Sequence, residues 1–181
     1  MRAAYRVGQF WKALTAAPEK IEINLAREVL SPPLMALFLR LQPSEQAHSL
    51  SIAQALYQQG ETHPDLLVAA LLHDIGKTRF PLRIWERLAI VLGKRFFPQA
   101  ARKWGQEQNL PGWKRLFVVA EQHPAWGAQM ASEAGASSLA VALIRRHQEK
   151  HTPVSIDTVA GAGEMLENHL HYRLQILDEE S

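Results

Sequence analysis

Residues 66–77 read Leu-Leu-Val-Ala-Ala-Leu-Leu-His-Asp-Ile-Gly-Lys, and the fold turns on them. Leu66 to Leu72 is apolar on every side of a helix, so it reads as a central buried helix rather than a surface one. His73 and Asp74 close that helix, and a carboxylate there needs a partner, because an unpaired buried charge is costly. Successive helical positions lie about 100° apart. His73 and Asp74 can therefore face one ion only at a helix end, where Gly76 lets the chain turn away.

Four more metal-ligand types fall on inward faces of the neighbouring segments. His48 shares a face with Ile52 and Ala55, and His123 ends a stripe of Leu116, Val119 and Ala120. His147 continues the row Ala140 and Ile144, and Asp178 lies one turn beyond Leu174 and two beyond Leu170. Any one of these histidines alone is more often a hydrogen-bonded core residue than a ligand. Six together, in the order His48, His73, Asp74, His123, His147, Asp178, form a candidate ligand set. Imidazole and carboxylate suit zinc, manganese and iron, and six such groups suffice for a dinuclear site with open positions. Asp74, with two oxygens, can bridge two ions. Asp157 is the substitute for Asp178, but it reads better as first-turn charge on the last helix. His63, His151, His169 and His171 stay outside the set.

The rest of the chain reads as helix. Turn formers such as Pro32-Pro33, Gly60, Gly76, Gly93, Pro98, Pro111-Gly112, Pro124, Gly135 and Pro153 separate segments of helical spacing, and none alternates cleanly with period two. The spacing predicts helices over 3–16, 19–30, 33–41, 44–59, 64–74, 82–92, 95–108, 112–122, 125–134, 137–150 and 155–178. The expected architecture is an all-α, single-domain bundle with the metal site in its helix core. Residues 1–43 form N-terminal helices packing on a core of residues 44–181. The stretch 79–111, rich in arginine, lysine, tryptophan and phenylalanine, reads as an insertion that covers the site.

Composition narrows the function classes. The 181 residues are 47% apolar and 21% charged, as in an ordinary globular protein. The net charge is only +2, with the cations interleaved among acids, so nucleic acid is not an expected partner. Cysteine is absent, which removes disulfides, thiolate zinc sites and cysteine nucleophiles. The longest apolar run, Leu66 to Leu72, falls far short of the ~20 residues of a membrane span. Met1 to Ala17 lacks an unbroken apolar core of signal-peptide length. The expectations are a cytoplasmic location and no membrane partner, with a homo-oligomer left open.

The same residues resemble a known family. The flanks "AALLHDIGK", "EQHPAWGAQMA", "LIRRHQEK" and "RLQILDEES" around the six ligands are similar to the HD-domain superfamily of metal-dependent phosphohydrolases, over roughly residues 44–181. The resemblance implies an all-helical fold around one or two divalent ions (Mn, Fe, Zn or Mg) and hydrolysis of a phosphate ester or anhydride in a nucleotide. It implies that His48, His73, Asp74 and Asp178 hold a first metal, and that His123 and His147 hold a second, bridged by Asp74. The adjacent histidine pair and the Gly-Tyr-Pro motif of the family's cyclic-dinucleotide hydrolases are absent, since His147 is followed by Gln148. Cyclic dinucleotide cleavage is therefore not expected.

For hydrolysis, cationic groups should grip the phosphate oxygens. Lys77, one turn past Asp74, is the first choice, with Arg146 beside His147 the second. Each also has an ordinary structural reading, as a helix cap for Lys77 and a solvated side chain for Arg146. Two alternatives remain: an HD-type mixed-valence di-iron oxygenase, which shares the ligand set, and a non-catalytic ligand-sensing HD module, against which the complete set speaks because a sensor need not keep all six. The family's predominance in hydrolysis favours the first reading.

Overall fold

The computed structural model describes residues 23–107, 112–149 and 162–180, and they form an all-α structure with no strand among them. The expected helix over 3–16, together with His151 and Asp157, lies outside the described residues. The helices are α1 (Asn24–Val29), α2 (Pro32–Phe38), α3 (Pro43–Gln58), α4 (Pro64–Leu72), α5 (Ile84–Phe96), α6 (Pro98–Gly105), α7 (Arg115–Glu133), α8 (Ser138–Arg146) and α9 (Ala162–Glu180). No helix among the described residues is long and apolar enough to cross a membrane.

Helix α4 is the centre. Every residue from Leu66 to Leu72 is buried, as its all-round apolar sequence requires. Pro64 at its first turn costs nothing, because that N–H would lack a helical partner anyway. Around α4 one core gathers Phe38 of α2, Ile52 and Leu56 of α3, Ala128 of α7, Leu143 and Ile144 of α8, and Leu170 and Leu174 of α9. Ala26, Leu30 and Leu34 join the same core, which seats α1 and α2 on it. A second, smaller cluster lies under α5 and α6, formed by Leu82, Ala101, Leu116, Phe117 and Val119. Helix α7 runs through both clusters, and His123 sits on it between Val119 and Ala128.

Several boundaries differ from the sequence expectation, and each has a physical reason. Pro124 does not split residues 112–134 into two helices; it lies inside the single helix α7. A mid-helix proline costs about 3 kcal/mol, but α7 is buried on both sides of it, from Leu116 to Ala120 and at Gly127, Ala128 and Ala131. That apolar burial offsets the lost hydrogen bond. Helix α4 stops at Leu72 rather than 74, and Ile75–Arg79 continues as a 3-10 turn. Gly93 does not end α5; it lies within the helix, where the ring of Phe117 fills the place its Cβ would take. Pro98 instead begins α6.

Candidate metal centre

The early stop of α4 creates the site. His73 caps α4, Asp74 follows with φ −95° and ψ 1°, and the chain turns into the 3-10 segment. Gly76 makes the turn possible at close quarters. A Cβ there would lie 2.0 Å from the His123 carbonyl oxygen and 2.7 Å from the Gly127 nitrogen. With hydrogen at that position, the turn packs directly on the α7 backbone, and Asp74 comes to face His123.

Asp74 stands between two groups of histidines. Its Oδ2 lies 3.5 Å from His73 Nε2, while its Oδ1 lies 3.3 Å from His123 Nε2 and 3.9 Å from His147 Nε2. His48 Nε2 donates to Asp178 Oδ1 at 2.9 Å, and the same oxygen lies 3.6 Å from His73 Nε2. Two sets of atoms therefore converge closely enough to hold an ion: His48, His73 and Asp74, and Asp74, His123 and His147. All six residues expected from the sequence meet at one place. They come from α3, the end of α4, α7, the end of α8 and α9.

The protonation pattern suits cations. His73 Nδ1 donates to the Ala70 carbonyl at 2.9 Å, His123 Nδ1 to the Val119 carbonyl at 3.0 Å and His147 Nδ1 to the Ile144 carbonyl at 2.7 Å. A carbonyl only accepts, so in each neutral ring the proton sits on Nδ1 and the Nε2 lone pair points into the cluster. His73 Nε2 is buried with no hydrogen-bond partner. His123 Nε2 and His147 Nε2 face each other at 3.2 Å, which sets two lone pairs opposite one another. An orphaned buried acceptor and an opposed pair are unfavourable alone and are relieved by a cation. The residues present thus fit divalent metal.

Electrostatics agree. Burial pushes the Asp74 carboxyl up, but the Lys77 ammonium, with His73 and His123, holds it well below the usual carboxylate range. Burial pushes His147 down to about 3, with His73 and His123 adding to the shift. Burial likewise lowers His123, against the opposing bond to Asp74. For Asp178, burial raises the pKa, but the His48 hydrogen bond, with His73 close by, brings it to about 2. Near neutral pH, then, Asp74 and Asp178 are anionic while His123 and His147 are neutral, as metal ligands must be.

Lys77 reaches the site and Arg146 does not. Lys77 Nζ lies 2.5 Å from Asp74 Oδ2 and lines a pocket of about 230 Å³ that opens beside His123. Arg146 is taken up elsewhere: its guanidinium bonds Glu149 at 3.0 Å, Glu167 at 2.5 Å and Asn168 at 3.1 Å. Those bonds tie α8 to α9, so the expected phosphate contact by Arg146 has a structural use in its place. The pocket wall carries two further cations, Arg87 and Lys94, on α5.

His171 is the functional residue that spacing missed. Its Nε2 donates to the Arg146 carbonyl at 2.7 Å, which steadies the chain just before His147. His169 is exposed while His171 is buried, and the row Leu170, Leu174, Leu177 marks the inward arc that includes position 171. The other histidine left out, His63, precedes α4 and lies outside the cluster.

The family model described as HD domain matches residues 46–179. No curated protein and no solved structure matches the chain.

Proposed function

The chain belongs to the HD-domain family, and on that premise we propose that it is a metal-dependent phosphohydrolase cleaving a phosphate ester or anhydride of a nucleotide or related small phosphate compound. The observation that carries the reading is Asp74, which offers one oxygen to each of two histidine groups. His48, His73, Asp74 and Asp178 would hold one divalent ion, and Asp74, His123 and His147 would hold a second. When bound, such ions would lower the pKa of water and offset negative charge on a phosphate held beside them.

The remaining groups serve the substrate. Lys77, half in the pocket and half on Asp74, presents its ammonium to a phosphate oxygen while keeping the bridging carboxylate ionised. Leu82, Ile90 and Val119 give the pocket apolar walls that keep bulk water from the leaving group. Lys77, Lys94 and Arg87, the last paired with Glu45 on the same wall, leave the opening with a cationic excess, which favours an anionic substrate and supports hydrolysis over oxidation of a neutral diol.

The test is a phosphate-release assay with nucleotides and simple phosphate esters, with manganese, iron, zinc or magnesium added in turn. Phosphate release that needs metal and falls to background in Asp74→Asn is the expected outcome. Oxygen uptake with iron and a diol, without phosphate release, would replace the hydrolase by an oxygenase. Ligand binding without turnover would leave a sensing module.

A further inference from the structure

Helix α5 carries more apolar surface than the core beneath it covers. Its inward face packs Ala89 and Ile90 on the small cluster beside Glu86, which is 6% exposed and accepts from Arg115 of α7 at 2.6 Å; on its flank Arg87 donates to Glu45 of α3 at 2.7 Å. Its outward face carries Ile84, Trp85, Leu88, Val91, Leu92 and Phe96, with exposures from 43% at Leu88 to 65% at Phe96. At 100° per residue these six fall within an arc of about 140°. A surface helix ordinarily turns such an arc to the core; here it lies exposed, as interaction faces do.

The surrounding charge says which kind. Between residues 79 and 106 stand Arg79, Arg83, Arg87, Lys94, Arg95, Arg102 and Lys103 against the single carboxylate of Glu86, and Arg115 already occupies that carboxylate. Arg83 just before α5, Lys94 and Arg95 on it, and Arg102 and Lys103 on α6 are exposed around the arc. Arg95 projects from within the arc itself, so two copies meeting face to face would set like charges together. An anionic lipid surface satisfies both features at once. The aliphatic side chains enter the acyl boundary, Trp85 and Phe96 sit near the headgroups at the helix ends, and the cations reach the lipid phosphates.

We propose that α5, with the adjoining edge of α6, docks this protein on the surface of an anionic membrane. The expectation of no membrane partner rested on the lack of a spanning segment, and lying in the interface requires none. Val91 belongs both to the arc and to the pocket wall, so docking sets the opening of the pocket beside the headgroups. The inference does not depend on the reaction catalysed.

The test is co-sedimentation of the full chain with vesicles of phosphatidylcholine alone and of phosphatidylcholine mixed with phosphatidylglycerol. The expected result is pelleting with the anionic vesicles only, abolished by high salt. Binding should fall about tenfold or more in Leu88→Glu/Leu92→Glu and, separately, in Arg83→Gln/Arg95→Gln. All four residues are exposed, so both variants keep the fold, which circular dichroism checks. Equal pelleting with neutral vesicles overturns the anionic preference. No pelleting, with a dimer in sedimentation velocity that Leu88→Glu disperses, makes the face a contact between copies. No pelleting by a monomer overturns the proposal equally.

Discussion

His123 and His147 face each other through their Nε2 atoms at 3.2 Å, while each Nδ1 donates to a backbone carbonyl of its own helix. In the neutral rings this opposes two lone pairs in a buried place, and a cation coordinated by both nitrogens removes the conflict. Metal should therefore stabilise the protein strongly. With free manganese or zinc at 100 times its dissociation constant, unfolding becomes about 2.7 kcal/mol harder. Thermal melts with and without metal check this, and His123→Ala and His147→Ala should each abolish the gain. A metal-induced shift that survives both changes would place the ion elsewhere.

Gly76 admits no side chain. A methyl group there would lie 2.0 Å from the His123 carbonyl oxygen, so Gly76→Ala must push the 3-10 turn away from α7. The expected cost is about 1–3 kcal/mol of stability, together with weakened metal binding as Asp74 moves from His123. Gly163→Ala is the control. It has open space around it and should be neutral or stabilising by up to about 1 kcal/mol. Denaturant unfolding of the two variants gives opposite signs if the contact governs the site.

The metal-free protein should lose stability as pH falls from neutrality. His147 is held down to about 3 in the fold, below its ordinary 6.5. Below pH 6.5 the unfolded chain therefore takes up a proton at this position that the folded chain does not, and stability declines as the pH drops towards 3. Asp178, held at about 2 against 3.8, adds a further loss between those two values. Its contribution is complete above 3.8. Unfolding midpoints measured from pH 7.5 to 4 should fall, and His147→Gln should flatten the upper part of that slope.

Arg146 distinguishes a strap from a substrate contact. Its bonds to Glu167 and Asn168 hold the C-terminal end of α8 against α9. Arg146→Met should cost about 1 kcal/mol of stability, the range of a partly exposed ion pair. Metal affinity should weaken as His147 and Asp178 lose their shared support, while KM for substrate changes little once metal is saturating. A raised KM with unchanged stability would restore the arginine to the phosphate.

The sequence by itself determined the all-helical class, the buried α4 and the identity of the six converging residues. Those follow from periodicity and residue chemistry: Leu66 to Leu72 is apolar all round, and each candidate ligand continues an apolar row on its own helix. Local preference failed where packing overrode it. Pro124 reads as a helix breaker, yet α7 buries both sides of it; His171 reads as one of two unrelated histidines, yet it anchors the segment before His147. Only the tertiary structure decided how Asp74 divides its oxygens between two histidine groups, because that depends on the close crossing of Gly76 and α7. It alone also decided that Arg146 is bound by α9 while Lys77 reaches Asp74, and that α5 turns its apolar arc outward. A helix's apolar arc is written in its sequence, but the direction in which it faces is set by partners such as Arg115 and Glu45, far away along the chain.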